Sequence, residues 1–187
     1  RKQYLRLLRG EMIEVNGYKM KINYENCADY NGRYHKGIFE QNVVERLKKE
    51  LKPDSNCLDI GATTGYYALL FASLCPKGRI WAIEPREDIE LLKENIKLNG
   101  FKNVFPVKIV AWDKDGYVSM ENDWSTTVRD GSEIPARRLD TLLHDIDFDF
   151  VEIDVTGNEP RVYRGMKKPK VFITNFYPEH IKRAGEN

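Results

Sequence analysis

The run Asp59-Ile60-Gly61-Ala62-Thr63-Thr64-Gly65-Tyr66-Tyr67 follows a short apolar stretch, Cys57-Leu58, and opens an apolar helix from Tyr67 to Ala72. A Gly-rich turn between a strand and a helix lets the backbone approach a ligand closely. It also offers that ligand the unpaired N–H groups of a helix N-terminus. Glu84 stands 25 residues after Asp59 and ends the next apolar strand, Arg79-Ile80-Trp81-Ala82-Ile83-Glu84. A carboxylate in that place can accept both hydroxyls of an adenosine ribose. Loop and acid together predict a nucleoside-cofactor site; the competing reading of the loop is a tight turn with no ligand.

Two further segments fall at predicted strand C-termini, Val110-Ala111-Trp112-Asp113 and Glu152-Ile153-Asp154-Val155-Thr156-Gly157. Asp154 is either a reactive carboxylate or a cap for the helix that follows. Trp112 either borders the ligand or fills the core. His35, His144 and His180 are far apart and read as surface or structural residues rather than catalytic ones. Lys167, Lys168 and Lys170 read as a solvated helix end. Tyr24, Tyr30 and Tyr34 read as a packed loop, with a lid over the ligand as the alternative.

The elements that must position these residues alternate along the chain. Strands are expected near 57–60, 79–84, 104–110, 148–154 and 170–175, with helices at 66–75, 87–98 and 158–167. The helix at 87–98 is amphipathic through Ile89, Leu92 and Ile96 and closes at Asn99-Gly100. Such alternation predicts an α/β fold, a mostly parallel sheet with helices on both faces. Its ligand edge lies at the strand C-termini. The less regular 113–138 segment carries possible strands at Tyr117–Met120 and Thr126–Val128 and leaves that edge, where substrate contacts are expected.

Upstream, residues 2–9 predict a short helix, and Asn16-Gly17 predicts a two-residue hairpin turn pairing Val15 with Tyr18, Glu14 with Lys19 and Ile13 with Met20. Residues 23–37 read as a loop. A helix with Phe39, Val43, Leu47 and Leu51 at i+4 spacing follows and stops at Pro53. The expected division is an extension over 1–37 and a nucleoside-binding domain over 38–187.

The chain has 187 residues, 41% of them hydrophobic, which suits a single core with a small extension. A net charge of +1 supplies no global field for nucleic acid or an anionic membrane. The longest apolar run, Tyr66–Leu74, is too short to span a bilayer. Cys27, Cys57 and Cys75 share no metal-type spacing, so no metal ligand is assigned. They read as buried thiols in a reducing, cytoplasmic compartment.

The sequence resembles the class I S-adenosylmethionine-dependent methyltransferases, and within them the FkbM family. The matching pieces run from Leu58 to Tyr67, then Ile83-Glu84-Pro85, Leu91 to Asn99, Ala111 to Gly116, Arg138 to Leu143, Val151 to Glu159 and Phe176 to His180. They cover roughly residues 38–181 in the family's order, and the Ile153-Asp154-Val155-Thr156-Gly157-Asn158-Glu159 piece is what points to FkbM. The resemblance implies a Rossmann-like domain using S-adenosylmethionine. Asp59 and the backbone of Gly61, Ala62, Thr63, Thr64 and Gly65 would hold its methionine part, with Thr63, Thr64 and Tyr66 lining it. Glu84 would take the ribose, flanked by Pro85 and Arg86, while Ala111 and Trp112 would border the adenine. Glu40 would close the pocket, and Asp154 would face the transferred methyl group.

The implied activity is O-methylation of a small-molecule or carbohydrate acceptor. The alternatives are a tRNA methyltransferase, against which the near-zero charge argues, and a cofactor-binding module without chemistry. Two residues depart from the family, which usually has Asn at Thr63 and Glu at Thr156. The family's sheet also continues with two strands beyond the one at 170–175, so the expected sheet lacks those C-terminal strands.

Overall fold

The computed structural model describes residues 11–22, 39–120, 128–175 and 178–185. The helix expected at 2–9, the 23–37 loop with its tyrosines, and Cys27 and His35 lie outside the described residues.

Asn16 and Gly17 take positive φ, 50° and 85°, as a primed two-residue turn requires. Strands β1 (Glu11–Val15) and β2 (Tyr18–Ile22) therefore pair antiparallel in the expected register, Ile13 with Met20 and Val15 with Tyr18. The apolar face of this hairpin is buried in the same cluster as the helices behind it. Two side-chain amides seal the join. Asn95, fully buried, gives and receives a hydrogen bond with the Lys21 backbone, and Asn99 does the same with Lys19.

The main sheet is built from β3 (Cys57–Ile60), β4 (Ile80–Ile83), β5 (Val104–Val107), β10 (Phe150–Ile153) and β11 (Val171–Thr174). Its order is β11-β10-β3-β4-β5 and every pairing is parallel. On one face lie α1 (Gln41–Glu50), α2 (Tyr66–Leu74) and α3 (Asp88–Leu98), with the hairpin. On the other lie α4 (Leu139–Leu142) and α5 (Glu159–Arg164), which bury Leu139 and Val162 against Leu58, Ile60, Ile83, Val151 and Ile153. Helix α2 is apolar all round because it lies between the sheet and the hairpin. Its fully buried Phe71 packs on Phe150 at 5.6 Å between ring centroids, a site where truncation to Ala costs about 3–5 kcal/mol.

The strand expected over 104–110 is two strands. β5 ends at Val107, and β6 (Val110–Ala111) leaves for a second sheet. That sheet adds β7 (Gly116–Met120), β8 (Val128–Asp130) and β9 (Ile134–Arg137) in the order β6-β9-β7-β8. Helix α6 (Pro178–Arg183) follows β11. No helix among the described residues is long and apolar enough to cross a membrane.

Candidate active site

In the main sheet the chain runs outward from β3 through β4 to β5 and then returns to place β10 on the other side of β3. The β3/β10 boundary is thus the switch point, where the two directions of connection leave a crevice at the strand C-termini. A cavity of about 400 Å³ opens there, within the usual size of a small-molecule site.

The turn after β3 is anchored from both sides. Gly61 and Ala62 donate N–H bonds to the Ile83 carbonyl at 2.9 and 3.0 Å, and the Asp154 N–H donates to the Ile60 carbonyl at 2.9 Å. Gly61 has φ 93°, and a Cβ on it would lie 2.1 Å from the Asp154 carbonyl oxygen. Glycine is therefore required here to bring the β3 turn against the end of β10. Thr63 is also left-handed, φ 44°, a costly conformation for a β-branched residue. This turns its N–H onto Glu84 Oε2 at 2.9 Å, while the Arg86 N–H meets Glu84 Oε1 at 2.8 Å. Burial pushes the Glu84 carboxyl up and these two donors pull it back. Each oxygen keeps a lone pair for the cavity that Glu84 lines.

Asp59 and Glu152 are direct neighbours in the β3/β10 register, 2% and 3% exposed. Burial raises both carboxyls; the neighbouring Asp59 pushes Glu152 up further, while Glu152 pulls Asp59 back. Asp59 Oδ2 is buried and meets no N–H or hydroxyl donor. Nearby, Tyr67 donates its hydroxyl to the Glu40 carboxylate, and burial followed by that carboxylate raises the phenol. Glu40 itself is left-handed, φ 46°, and its carbonyl takes the first N–H groups of α1. Tyr66 donates to the Phe39 carbonyl at 2.9 Å and accepts from Asn16 at 3.1 Å, tying the hairpin to this wall.

At the end of β10, Asp154 accepts a hydrogen bond from Asn175 Nδ2 at 3.0 Å. Asp154 keeps an exposed edge, and the surrounding cavity walls partly desolvate its carboxyl and raise it; the Asn175 bond and the nearby His180 lower it. The following turn is held by Glu159, which takes the Val155 and Gly157 N–H groups. The N-cap of α5 is Asn158 and no side chain caps the helix; Asp154 faces the cavity. A Cβ on Gly157 would lie 2.5 Å from His180 backbone, so this glycine lets α6 close on the turn and brings His180 to the cavity wall.

Of the residues expected in the site, Glu40, Asp59, Gly61, Ala62, Thr63, Tyr66, Glu84, Pro85, Arg86, Ala111 and Asp154 line this one cavity. Thr64, Gly65 and Trp112 do not. Thr64 is buried, with its carbonyl bonded to Asn95, and Gly65 is the N-cap of α2. Trp112 is a core residue: β6 pairing turns it under Val118 and Ala136, with the Arg161 guanidinium 4.8 Å from its ring. The cavity also takes Glu152, Asn175 and His180, and Met120 and Val128 from the second sheet. His180, expected to be a surface or structural residue, has one pointer in the sequence, its place in the last matching piece. Among the described residues no group of acids, histidines and cysteines is arranged to hold a metal ion.

A parallel sheet with its cavity at the switch point and an acid at the end of the second strand is common to class I methyltransferases. Residues 59–181 match the methyltransferase FkbM domain, and the chain belongs to that family. TYW2 from P. horikoshii, solved in complex with MeSAdo, shares the fold with a TM-score of 0.50 and 18% identity over 81% of this chain and 45% of that one. Methyltransferase FkbM from Methylobacillus flagellatus KT aligns with 17% identity over 62% of this chain and 29% of its own, TM-score 0.47. TYW2 from M. jannaschii, in complex with AdoMet, aligns with 18% identity over 77% and 50%, TM-score 0.48. The chain thus spans half or less of the length of each of these structures. No curated protein matches it.

Proposed function

We propose that the chain binds S-adenosylmethionine in this cavity and methylates an oxygen of a small-molecule or carbohydrate acceptor. The observation that carries the proposal is one cavity with Glu84 at the end of β4 and Asp154 at the end of β10. The residues present fit the cofactor. Glu84 retains lone pairs for a ribose diol, Asp59 Oδ2 is an acceptor with no donor, and Pro85, Ile109 and Ala111 make an apolar slot for a purine.

The sulfonium brings an already activated methyl group, so the protein's task is alignment and exclusion of water. Asp154 lines the cavity and accepts the proton of the attacking hydroxyl. The Asn175 amide holds that carboxylate in one orientation. Thr156 occupies the usual family glutamate position at φ 54°, so the acceptor side rests on Asp154, Asn175 and His180.

The test is transfer of a radiolabelled methyl group to a panel of sugars and small hydroxyl compounds, with tRNA alongside. Label on a hydroxyl acceptor supports the reading. Label on tRNA alone overturns the acceptor class.

A further inference from the structure

We infer that Glu152 is a proton-holding partner of Asp59: in the ligand-free cavity the two share one proton, and a cationic amine seated against Asp59 promotes its release. This rests on the cofactor reading above, since the amine is that of the cofactor's amino-acid end.

The geometry allows few alternatives. The parallel register sets Asp59 and Glu152 side by side across the switch point, both almost wholly buried. Two carboxyls set next to each other in the register and out of water cannot both ionise without a large penalty, and one proton between them removes it. No Lys or Arg among the described residues makes an ion pair with either. Among the described residues, the groups that face the pair are acids, phenols and one amide N–H. Asp154 approaches from β10, Glu84 from β4, Glu40 from the start of α1, Tyr67 from α2 and Tyr18 from β2. The Ala68 N–H at the start of α2 favours the ionised form of Asp59. Two buried carboxyls side by side with no cation between them are held by one shared proton. From β11 the neighbour of Glu152 is Ile173, which supplies no charge.

The pair thus carries one negative charge, matched to one ammonium, and an ammonium beside it favours the doubly ionised state. The affinity of a ligand bearing that amine must then rise with pH across the titration of the pair, by up to about tenfold per pH unit for one linked proton. A neutral ligand in the same cavity lacks this dependence.

Two measurements test the inference. Infrared difference spectra of the ligand-free protein should show the C=O stretch of a buried protonated carboxyl that is absent in Glu152→Gln. Titration calorimetry with S-adenosylhomocysteine in buffers of different ionisation enthalpy should show proton release, with adenosine releasing none. The adenosine comparison uses wild-type protein alone, so it stands even if Glu152→Gln fails to fold. Absence of the carboxyl band overturns the shared proton. Binding of S-adenosylhomocysteine without proton release, or equal release with adenosine, overturns the linkage while leaving the cofactor reading intact. Failure of S-adenosylhomocysteine to bind at all overturns the cofactor reading and the linkage with it, and the infrared band then reports on the pair alone.

Discussion

The Glu159 carboxylate grips the Gly157 N–H through both of its oxygens, at 3.1 and 2.8 Å. One of those oxygens also takes the Val155 N–H at 3.1 Å. The turn carrying Thr156 and Gly157 in left-handed backbone is thereby fixed directly after Asp154. The acid that looks most reactive in the sequence depends for its position on a second acid five residues later.

Replacing Glu159 by Ala leaves two N–H groups in the turn without acceptors. We expect a loss of about 1–3 kcal/mol in denaturant unfolding. Turnover should fall more than cofactor affinity, because the turn carries Asp154 rather than Glu84. Unchanged stability would mean that water replaces the carboxylate without cost.

Asp154→Asn keeps the shape of the side chain and removes its basicity. The expected outcome is a fall in kcat of about 10²–10⁴-fold, with the dissociation constant for S-adenosylhomocysteine unchanged. Turnover close to wild type would assign proton acceptance to solvent or to His180.

Thr63→Asn places a residue that tolerates left-handed backbone at φ 44°. Relief of that strain should stabilise the fold by about 1 kcal/mol, read as a rise in Tm. Cofactor binding should persist, since the Thr63 contact to Glu84 is made by the backbone N–H. A fall in Tm would show that the threonine hydroxyl carries a bond worth more than the strain.

Stability should also depend on pH through Asp59 and Glu152. Burial raises both carboxyls, so the folded chain holds a proton that the unfolded chain releases. That contribution is fully present below the ordinary carboxylate range and is lost as pH rises toward the raised folded values. Glu152→Gln should flatten the decline and raise stability at neutral pH. Thermal unfolding followed against pH for both proteins checks the sign; parallel curves would contradict it.

Much of the fold is legible in the sequence. Asn16-Gly17 dictates the hairpin register because a two-residue turn leaves a single pairing. The cores of β3, β4 and β10 are short apolar runs that begin and end close to where the sequence places them. The split between β5 and β6 was not legible, since 104–110 is one nearly apolar run and only pairing with β9 draws Val110 and Ala111 away. β9 was missed because Ile134-Pro135-Ala136-Arg137 contains a proline and shows no alternation. In the site, Glu84 and Asp59 were found by spacing within one strand–helix–strand unit. Glu152 was visible as an acid inside the apolar run Phe148–Ile153, but its meaning depends on lying beside Asp59 across 93 residues. Asn175 and His180 reach the cavity only through the order of the sheet and the closure of α6 on Gly157. Trp112 went the other way, into the core, because β6 belongs to the second sheet.

The most direct test of the central claim is calorimetric titration of the chain with S-adenosylmethionine, S-adenosylhomocysteine and NAD, repeated on Glu84→Ala. The account predicts saturable binding of the first two, none of NAD, and an affinity weakened about 10–100-fold in the variant through loss of the ribose contacts. Tight NAD binding with no response to either S-adenosyl ligand would contradict it.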